Sequence, residues 1–313
     1  MIDGHTHLLG LIGWPVAHSL SPAMHNAAFE ALGLNWRYVP LPTPPGQVAA
    51  AVQGLAALGF RGANVTVPHK QAVIPALDAV APDAQALGAI NTLVVERGPA
   101  LDQDLDLDLD LDLDRGQPAV VRGHNTDAAG FVGALRDGGF DPGEKKAVVV
   151  GAGGAARAVV FGLLQAHARE IVVLNRTGER AEALVADMRQ HAPDDVHLCS
   201  SALTPQSLVE SARTADLLVN ATVVGMWPHA AGTIWPTDIP IPAHLTVFDL
   251  VYAPLETRLL QQARAAGAHT LDGLGMLVRQ GALAFEMWTG IPVPPDVLVR
   301  MDRVCRRLSG GSG

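Results

Sequence analysis

Four consecutive apolar residues, Ala147-Val148-Val149-Val150, run directly into Gly151-Ala152-Gly153-Gly154-Ala155-Ala156 and then into an apolar helical stretch reaching His167. No other segment limits the fold as strongly. A short buried strand, a glycine turn and a helix, in that order, open a nucleotide-binding α/β unit, because glycines let the backbone approach a pyrophosphate. The helix start contributes unpaired N–H groups and the positive end of its dipole. Gly151, Ala152, Gly153, Gly154 and Ala155 are therefore the candidate cradle for a dinucleotide. In a chain with 32 glycines the G-x-G-x-x-A spacing alone says little; the flanking strand and helix give it meaning.

The next strand of that unit ends in Asn175-Arg176-Thr177, with Arg180 one turn further on. A carboxylate at this position would accept the 2′-hydroxyl of an unphosphorylated ribose, whereas a guanidinium forks onto a 2′-phosphate. Two arginines and a threonine, with no acid at the strand end, select NADP over NAD. The plainer alternative is an exposed arginine at a helix start.

Short β-rich runs alternate with helical patterns along the rest of the chain, which predicts an α/β fold with parallel sheets covered by helices. Strands are expected near Leu8 to Ile12, Trp36 to Leu41, Ala63 to Val67 and Thr92 to Val95, with helices near Pro22 to Leu32 and Gln47 to Leu58. Ser21 is expected to cap the first helix, with Pro22 in its first position and Gly33 closing it. A second α/β run starts at Ala147 and continues through strands near Ile171 to Asn175, Leu217 to Asn220 and Val247 to Asp249. At about 100 to 200 residues per domain, 313 residues suggest two domains. With 49% hydrophobic and 17% charged residues, each has enough apolar surface for a core.

The charge excludes some partners. Against 31 Asp+Glu there are only 22 Lys+Arg, a net charge of −9, and binding to nucleic acid needs a basic face. Seven of the acids lie in one low-complexity tract, Leu101 to Asp114, which alternates Leu and Asp except at Gln103; without them the balance is 22 against 24, or −2. Like charges two residues apart would repel along a strand face, so a surface loop is expected there. Calcium binding is the weaker alternative, since no Gly turn or terminal Glu completes a familiar loop. Cys199 and Cys305 are too few and too far apart for a disulfide framework or zinc cluster, which fits a cytoplasmic protein. The N-terminus Met1-Ile2-Asp3-Gly4-His5 has no export signature, and prolines break the longest uncharged stretches, so no membrane span is expected.

Three polar segments in the first part hold more chemistry than packing requires. In Trp14-Pro15-Val16-Ala17-His18-Ser19-Leu20-Ser21-Pro22, two hydroxyls flank a helix start, a place suited to a carboxylate. In Asn64-Val65-Thr66-Val67-Pro68-His69-Lys70, alternation sends Asn64 and Thr66 to one side of a strand. Lys70 follows near an expected helix start, where a cation is electrostatically unfavourable unless it has another task. In Gly123-His124-Asn125-Thr126-Asp127, either Thr126 or Asp127 is a candidate helix cap.

Taken in order, these segments resemble the shikimate dehydrogenase family. The resemblance extends from Ile12-Gly13-Trp14-Pro15, Ser19-Leu20-Ser21-Pro22 and His25-Asn26 through Asn64 to Lys70, Gly88-Ala89-Ile90-Asn91-Thr92 and Asn125-Thr126-Asp127. It continues through the glycine loop, Asn175-Arg176-Thr177, Asn220-Ala221-Thr222 and Asp249-Leu250-Val251-Tyr252-Ala253-Pro254 to Asp272 through Gln280. The departures are Trp14, where relatives often carry Asn, and the inserted Leu/Asp tract.

The resemblance implies an N-terminal α/β substrate domain plus a Rossmann-like NADP-binding domain, with C-terminal helices returning to the first. The division would be residues 1–126 plus 275–313 for substrate and 127–274 for cofactor. It implies NADPH-dependent, reversible reduction of 3-dehydroshikimate to shikimate, in chorismate and aromatic amino-acid biosynthesis, by a monomer or homodimer. Lys70 and Asp127 would be the catalytic pair, and Ser19 and Ser21 would hold the substrate carboxylate. Asn64, Thr66, Asn91, Thr126, Tyr252 and Gln280 would complete the substrate site, while Thr222, Leu250 and Gly273 would line the nicotinamide pocket. Quinate is the rival substrate, and a catalytically silent NADP-binding regulator is the rival of another class. Asp3-Gly4-His5-Thr6-His7 imitates a metal-binding strand, but no later His/Asp cluster supplies further ligands; no metal is expected.

Overall fold

The computed structural model describes residues 2–97 and 119–310, so the expectation for the Leu101 to Asp114 tract lies outside the described residues. The chain forms two compact units, residues 1–125 with 284–292 and residues 126–283 with 293–313.

The first unit carries β1 (His7–Gly13), α1 (Ser21–Ala31), β2 (Trp36–Pro42), α2 (Val48–Ala57), β3 (Gly62–Val65), β4 (Ala79–Val80), α3 (Pro82–Leu87), β5 (Thr92–Glu96) and β6 (Val120–His124). Its six-stranded sheet has the order β2-β1-β3-β5-β6-β4. One strand departs from the expected parallel sheets. β5 runs antiparallel to both β3 and β6, a direction set by its pairing with those two partners. The core beneath the sheet gathers Ile12, Val52, Leu55, Ala63, Val65, Ile90 and Leu93.

β2 is an edge strand, which is why it tolerates Pro40 and Pro42: residues of the same parity turn their backbone groups away from β1. At Tyr38, which has the same parity, the Asn26 side chain takes both groups, accepting from the N–H and donating to the carbonyl at 2.9 Å each. Asp3 to His7, the segment that imitates a metal strand, is a polar turn into β1. The Asp3 carboxylate accepts from the His5 N–H and from Asn35 Nδ2, and His7 packs on Trp36 at 4.8 Å.

The second unit carries α4 (Asp127–Asp137), β7 (Lys146–Val150), α5 (Gly154–Gln165), β8 (Glu170–Asn175), α6 (Gly178–Met188), β9 (His197–Ala202), α7 (Pro205–Ala212), β10 (Leu217–Asn220), β11 (Thr246–Asp249), α8 (Arg258–Ala265) and β12 (His269–Asp272). Its sheet is wholly parallel, in the order β12-β11-β10-β7-β8-β9. Counted from β7 this is the 6-5-4-1-2-3 order of a Rossmann sheet, whose direction reverses between β7 and β10. The β7 run Ala147 to Val150 is fully buried, as a strand covered on both faces must be.

α4 belongs to this unit because Phe131 stacks on Phe248 at 5.3 Å and Gly162 of α5 lies against the Ala128 carbonyl, where a Cβ would sit only 2.9 Å away. α9 (Gly273–Thr289) gives its first part to the second unit and its last turns to the first. In the first unit Phe285 stacks on Phe29 at 5.1 Å, and the Trp288 indole N–H donates to the Leu93 carbonyl at 2.9 Å. α10 (Pro295–Gly310) packs with the second unit, where Arg306 bonds to Asp272 at 2.7 Å.

Candidate functional site

In the first unit, the candidate substrate residues sit where strands end. Ser21 is not the cap of α1: it is the first helical residue, Leu20 occupies the cap position, and Pro22 follows in the second. Ser21 is instead buried, and its N–H donates to Ser19 Oγ at 3.2 Å, which orients the half-buried Ser19 hydroxyl at the helix entry. Gly33 leaves the helix with φ +66°, as expected of a closing glycine.

Asn64 ends inside β3, and Thr66 lies one residue beyond the strand. Lys70 does not stand at an α-helix start. The segment after β3 is a run of turns and a short 3₁₀ turn at Ile74–Ala76, because Pro68 and Pro75 interrupt it. Three backbone bonds hold the Lys70 turn: His69 N–H to Thr66 O, Val73 N–H to His69 O, and Ile90 N–H to Lys70 O at 2.8 Å. The buried His69 ring adds a fourth, Nε2 to the Thr43 carbonyl at 2.7 Å. Asn91 is buried beside Asn64, whose Nδ2 donates to the Asn91 carbonyl at 3.0 Å.

The remaining substrate-side candidates, Thr126, Asp127, Tyr252 and Gln280, lie in the second unit. Thr126 takes the N-cap position of α4 and Asp127 is its first helical residue, an acid favourably placed in the first turn. The Thr126 hydroxyl reaches Gln280 Oε1 at 3.4 Å, and Gln280 Nε2 donates to Leu277 O at 2.8 Å. α4 and α9 approach closely at this point, since a Cβ on Gly130 would meet the Gln280 backbone nitrogen at 2.7 Å. Burial raises the Tyr252 phenol above its ordinary pKa, so it stays protonated as a donor.

The glycine loop has the geometry a pyrophosphate requires. Gly151 adopts φ +121° with its α-carbon against the Ala221 carbonyl, where a Cβ would lie 2.8 Å away. Gly153, Gly154 and Ala155 are exposed at the start of α5, and a Cβ on either glycine would meet nothing within 4 Å. The half-buried Ala152 completes the turn. The first N–H groups of a twelve-residue helix thus open to solvent at the point where the sheet reverses direction.

At the end of β8 the Asn175 amide donates to the Thr177 carbonyl at 2.8 Å, closing the turn in which Arg176 is exposed. Thr177 is the N-cap of α6, and Arg180 is exposed in its first turn; neither arginine has an ion-pair partner among the described residues. Thr222 Oγ1 donates to Asn220 Oδ1 at 2.7 Å. Gly273 presses on the Leu250 carbonyl so closely that a Cβ would stand 2.1 Å from it.

One organising residue is absent from the sequence expectations. Asp249 is fully buried at the end of β11. It accepts from the Thr257 hydroxyl at 2.6 Å, Asn220 Nδ2 at 2.9 Å and the Val251 N–H at 3.1 Å, tying β10, the Leu250 loop and the N-cap of α8 together. Burial nevertheless pushes its carboxyl above the usual range, against those bonds. Its sequence signals were an acid closing an apolar strand and its place at the head of the Asp249 to Pro254 motif, neither of which assigned it a role.

The sheet order, glycine cradle and free guanidinium groups define a Rossmann-type dinucleotide-binding protein with a second α/β unit. Family models agree: residues 11–93 match the shikimate dehydrogenase substrate binding domain, 137–226 the shikimate/quinate 5-dehydrogenase model and 273–299 the shikimate 5′-dehydrogenase C-terminal domain. The NADP⁺ shikimate dehydrogenase of Moorella thermoacetica is 47% identical over 99% of this chain and 96% of its own. The Thermus thermophilus shikimate 5-dehydrogenase structure, in complex with NADP(H) and shikimate, superposes with a TM-score of 0.79 at 38% identity, covering 97% of this chain and all of that one. A quinate dehydrogenase from Corynebacterium glutamicum in complex with NAD reaches 0.81 at 32% identity, over 96% of this chain and 98% of that one. The chain belongs to the shikimate dehydrogenase family.

Proposed function

We propose that this enzyme catalyses the reversible NADPH-dependent reduction of 3-dehydroshikimate to shikimate, in the cytoplasm, as a step of chorismate and aromatic amino-acid biosynthesis. The observation that carries this reading is the 47% identity to a named NADP⁺ shikimate dehydrogenase over nearly the whole of both chains. The cofactor supplies the hydride. Gly151 to Ala155 would receive its pyrophosphate, Asn175 to Thr177 and Arg180 its 2′-phosphate, and Thr222, Leu250 and Gly273 its nicotinamide end.

On the substrate side, Ser19 and Ser21 would hold the carboxylate, while Asn64, Thr66, Asn91, Thr126, Tyr252 and Gln280 address the ring hydroxyls. Reduction of a ketone leaves an alkoxide that needs a proton at once. Lys70 would stabilise that charge and deliver the proton from Nζ, with Asp127 orienting the ammonium and a neighbouring hydroxyl. The functional division would follow the ligands, residues 1–126 with 275–313 for substrate and 127–274 for NADP, although compact packing groups Thr126, residues 275–283 and α10 with the second unit. The test is to follow NADP⁺ and NAD⁺ reduction with shikimate, with quinate and with neither. Turnover of shikimate with NADP⁺ well above the other pairs is expected; preferential quinate oxidation with NAD⁺, or cofactor binding without turnover, would replace the reading.

A further inference from the structure

Asn64 is buried in a closed hydrogen-bond network whose polarity can be worked out from its partners. Its Nδ2 lies 3.0 Å from the Asn91 main-chain carbonyl, a group that only accepts, so this end of the carboxamide is the nitrogen. The second N–H goes to Thr92 Oγ1 at 3.1 Å, and that hydroxyl passes its own hydrogen to Asn91 Oδ1 at 3.0 Å. Opposite, the Tyr38 hydroxyl donates to Asn64 Oδ1 at 2.8 Å. Tyr38 is 1% exposed, and burial raises its phenol well above the ordinary range, so it remains a donor.

Its ring is clamped in an aromatic cluster. His25 stacks on it at 4.5 Å, and Trp288 lies 6.1 Å away at 50°. An asparagine side chain offers two N–H donors and two lone pairs on oxygen. Here both donors and one lone pair are committed to the protein.

We propose that Tyr38 is a positioning residue for substrate recognition: it aligns the Asn64 carboxamide so that one oxygen lone pair is all it can offer, and Asn64 recognises a substrate hydroxyl purely as an acceptor. The inference rests on the reading above that Asn64 contacts shikimate, and it adds a buried residue with no place in that site. Two of the three bonds that orient the amide survive in Tyr38→Phe, and the ring and its stacking partners are kept. The loss is therefore of alignment, not of packing.

The test compares wild type, Tyr38→Phe, Asn64→Ala and the double variant in NADP⁺ reduction by shikimate and by shikimate analogues each lacking one of the ring hydroxyls that is not oxidised. Tyr38→Phe is expected to raise the KM for shikimate roughly 5- to 20-fold with kcat within about 2-fold, leaving the KM for NADP⁺ unchanged. The double variant should be no worse than Asn64→Ala alone. For one deoxy analogue, the one missing the hydroxyl that Asn64 accepts, the penalty should vanish, a readout that survives even if Asn64→Ala does not fold. An unchanged or lower KM in Tyr38→Phe, additive losses in the double variant, or the same penalty on every analogue would overturn the proposal while leaving the proposed reaction intact. Absence of shikimate turnover by the wild-type enzyme would remove both.

Discussion

The two units build their candidate sites from different materials. The first uses side chains of buried strand ends, Asn64, Asn91 and Thr92, locked to one another and to Tyr38 by hydrogen bonds. For the cofactor's pyrophosphate and nicotinamide ends the second relies on bare backbone: Gly151 under the Ala221 carbonyl, Gly273 on Leu250, and the open first turn of α5. A dinucleotide phosphate needs close approach and N–H groups, which any glycine turn can supply, whereas a polyhydroxylated ring needs donors and acceptors of fixed sense. The first kind of site is sensitive to loss of an atom, the second to gain of one.

Single substitutions can break this contrast. Lys70→Ala should have the largest effect, lowering kcat by about 10²- to 10⁴-fold with a smaller change in KM, since a positioned proton donor acts in the transition state. Near-normal single-turnover rates would take Lys70 out of the chemistry. The next effect is on stability. Burial holds the His25 imidazole at a pKa of about 3. Below its unfolded pKa of about 6.5 the unfolded chain takes up a proton that the native state refuses, so stability falls as the pH drops from there toward 3. The loss approaches about 4 to 5 kcal/mol. His25→Leu should flatten that acid limb in urea titrations run across the range, and an unaltered limb would assign it to other groups.

The second unit should respond to added atoms. Gly273→Ala puts a methyl group into the Leu250 carbonyl and is expected to cost about 1 to 3 kcal/mol in stability and to weaken NADP⁺ binding, read by thermal melting with and without the cofactor. Arg176→Asp should weaken NADPH by at least about tenfold relative to NADH, because the guanidinium pairs with the 2′-phosphate only; equal losses for both cofactors would leave the selectivity to Arg180. The smallest effect is predicted for deletion of Leu101 to Asp114, which still leaves nine residues between β5 and β6 and should keep kcat/KM within about 2-fold.

What could be read in the sequence follows the same contrast. The glycine turn and the strands Leu217 to Asn220 and Trp36 onward were legible because backbone requirements leave local marks: a glycine where a carbonyl crowds in, valines where both faces are covered. The antiparallel course of β5 was not, since direction is set by partners distant in the chain. β12 and β9 escaped notice because His269-Thr270-Leu271-Asp272 and His197 to Ala202 are edge strands with mixed polarity. In the site, Lys70 stood out as a cation at an expected helix start, while Asp127 could equally be read as a helix cap and entered the catalytic pair only through the family resemblance. Tyr38 looked like an ordinary strand residue and Asp249 like the end of a strand, because their roles exist only in the hydrogen bonds made after folding, and that of His25 only in the burial that folding brings.

The rim of β2 bears on self-association. Pro40 and Pro42 bring no amide hydrogen to it, and the Asn26 side chain has already engaged the peptide groups of Tyr38. A second polypeptide attempting to prolong the sheet there would find neither a ladder to continue nor a rung to grip. Strand-to-strand pairing of two copies is disfavoured along this edge, and crowded, newly made chains are spared one common route into aggregates.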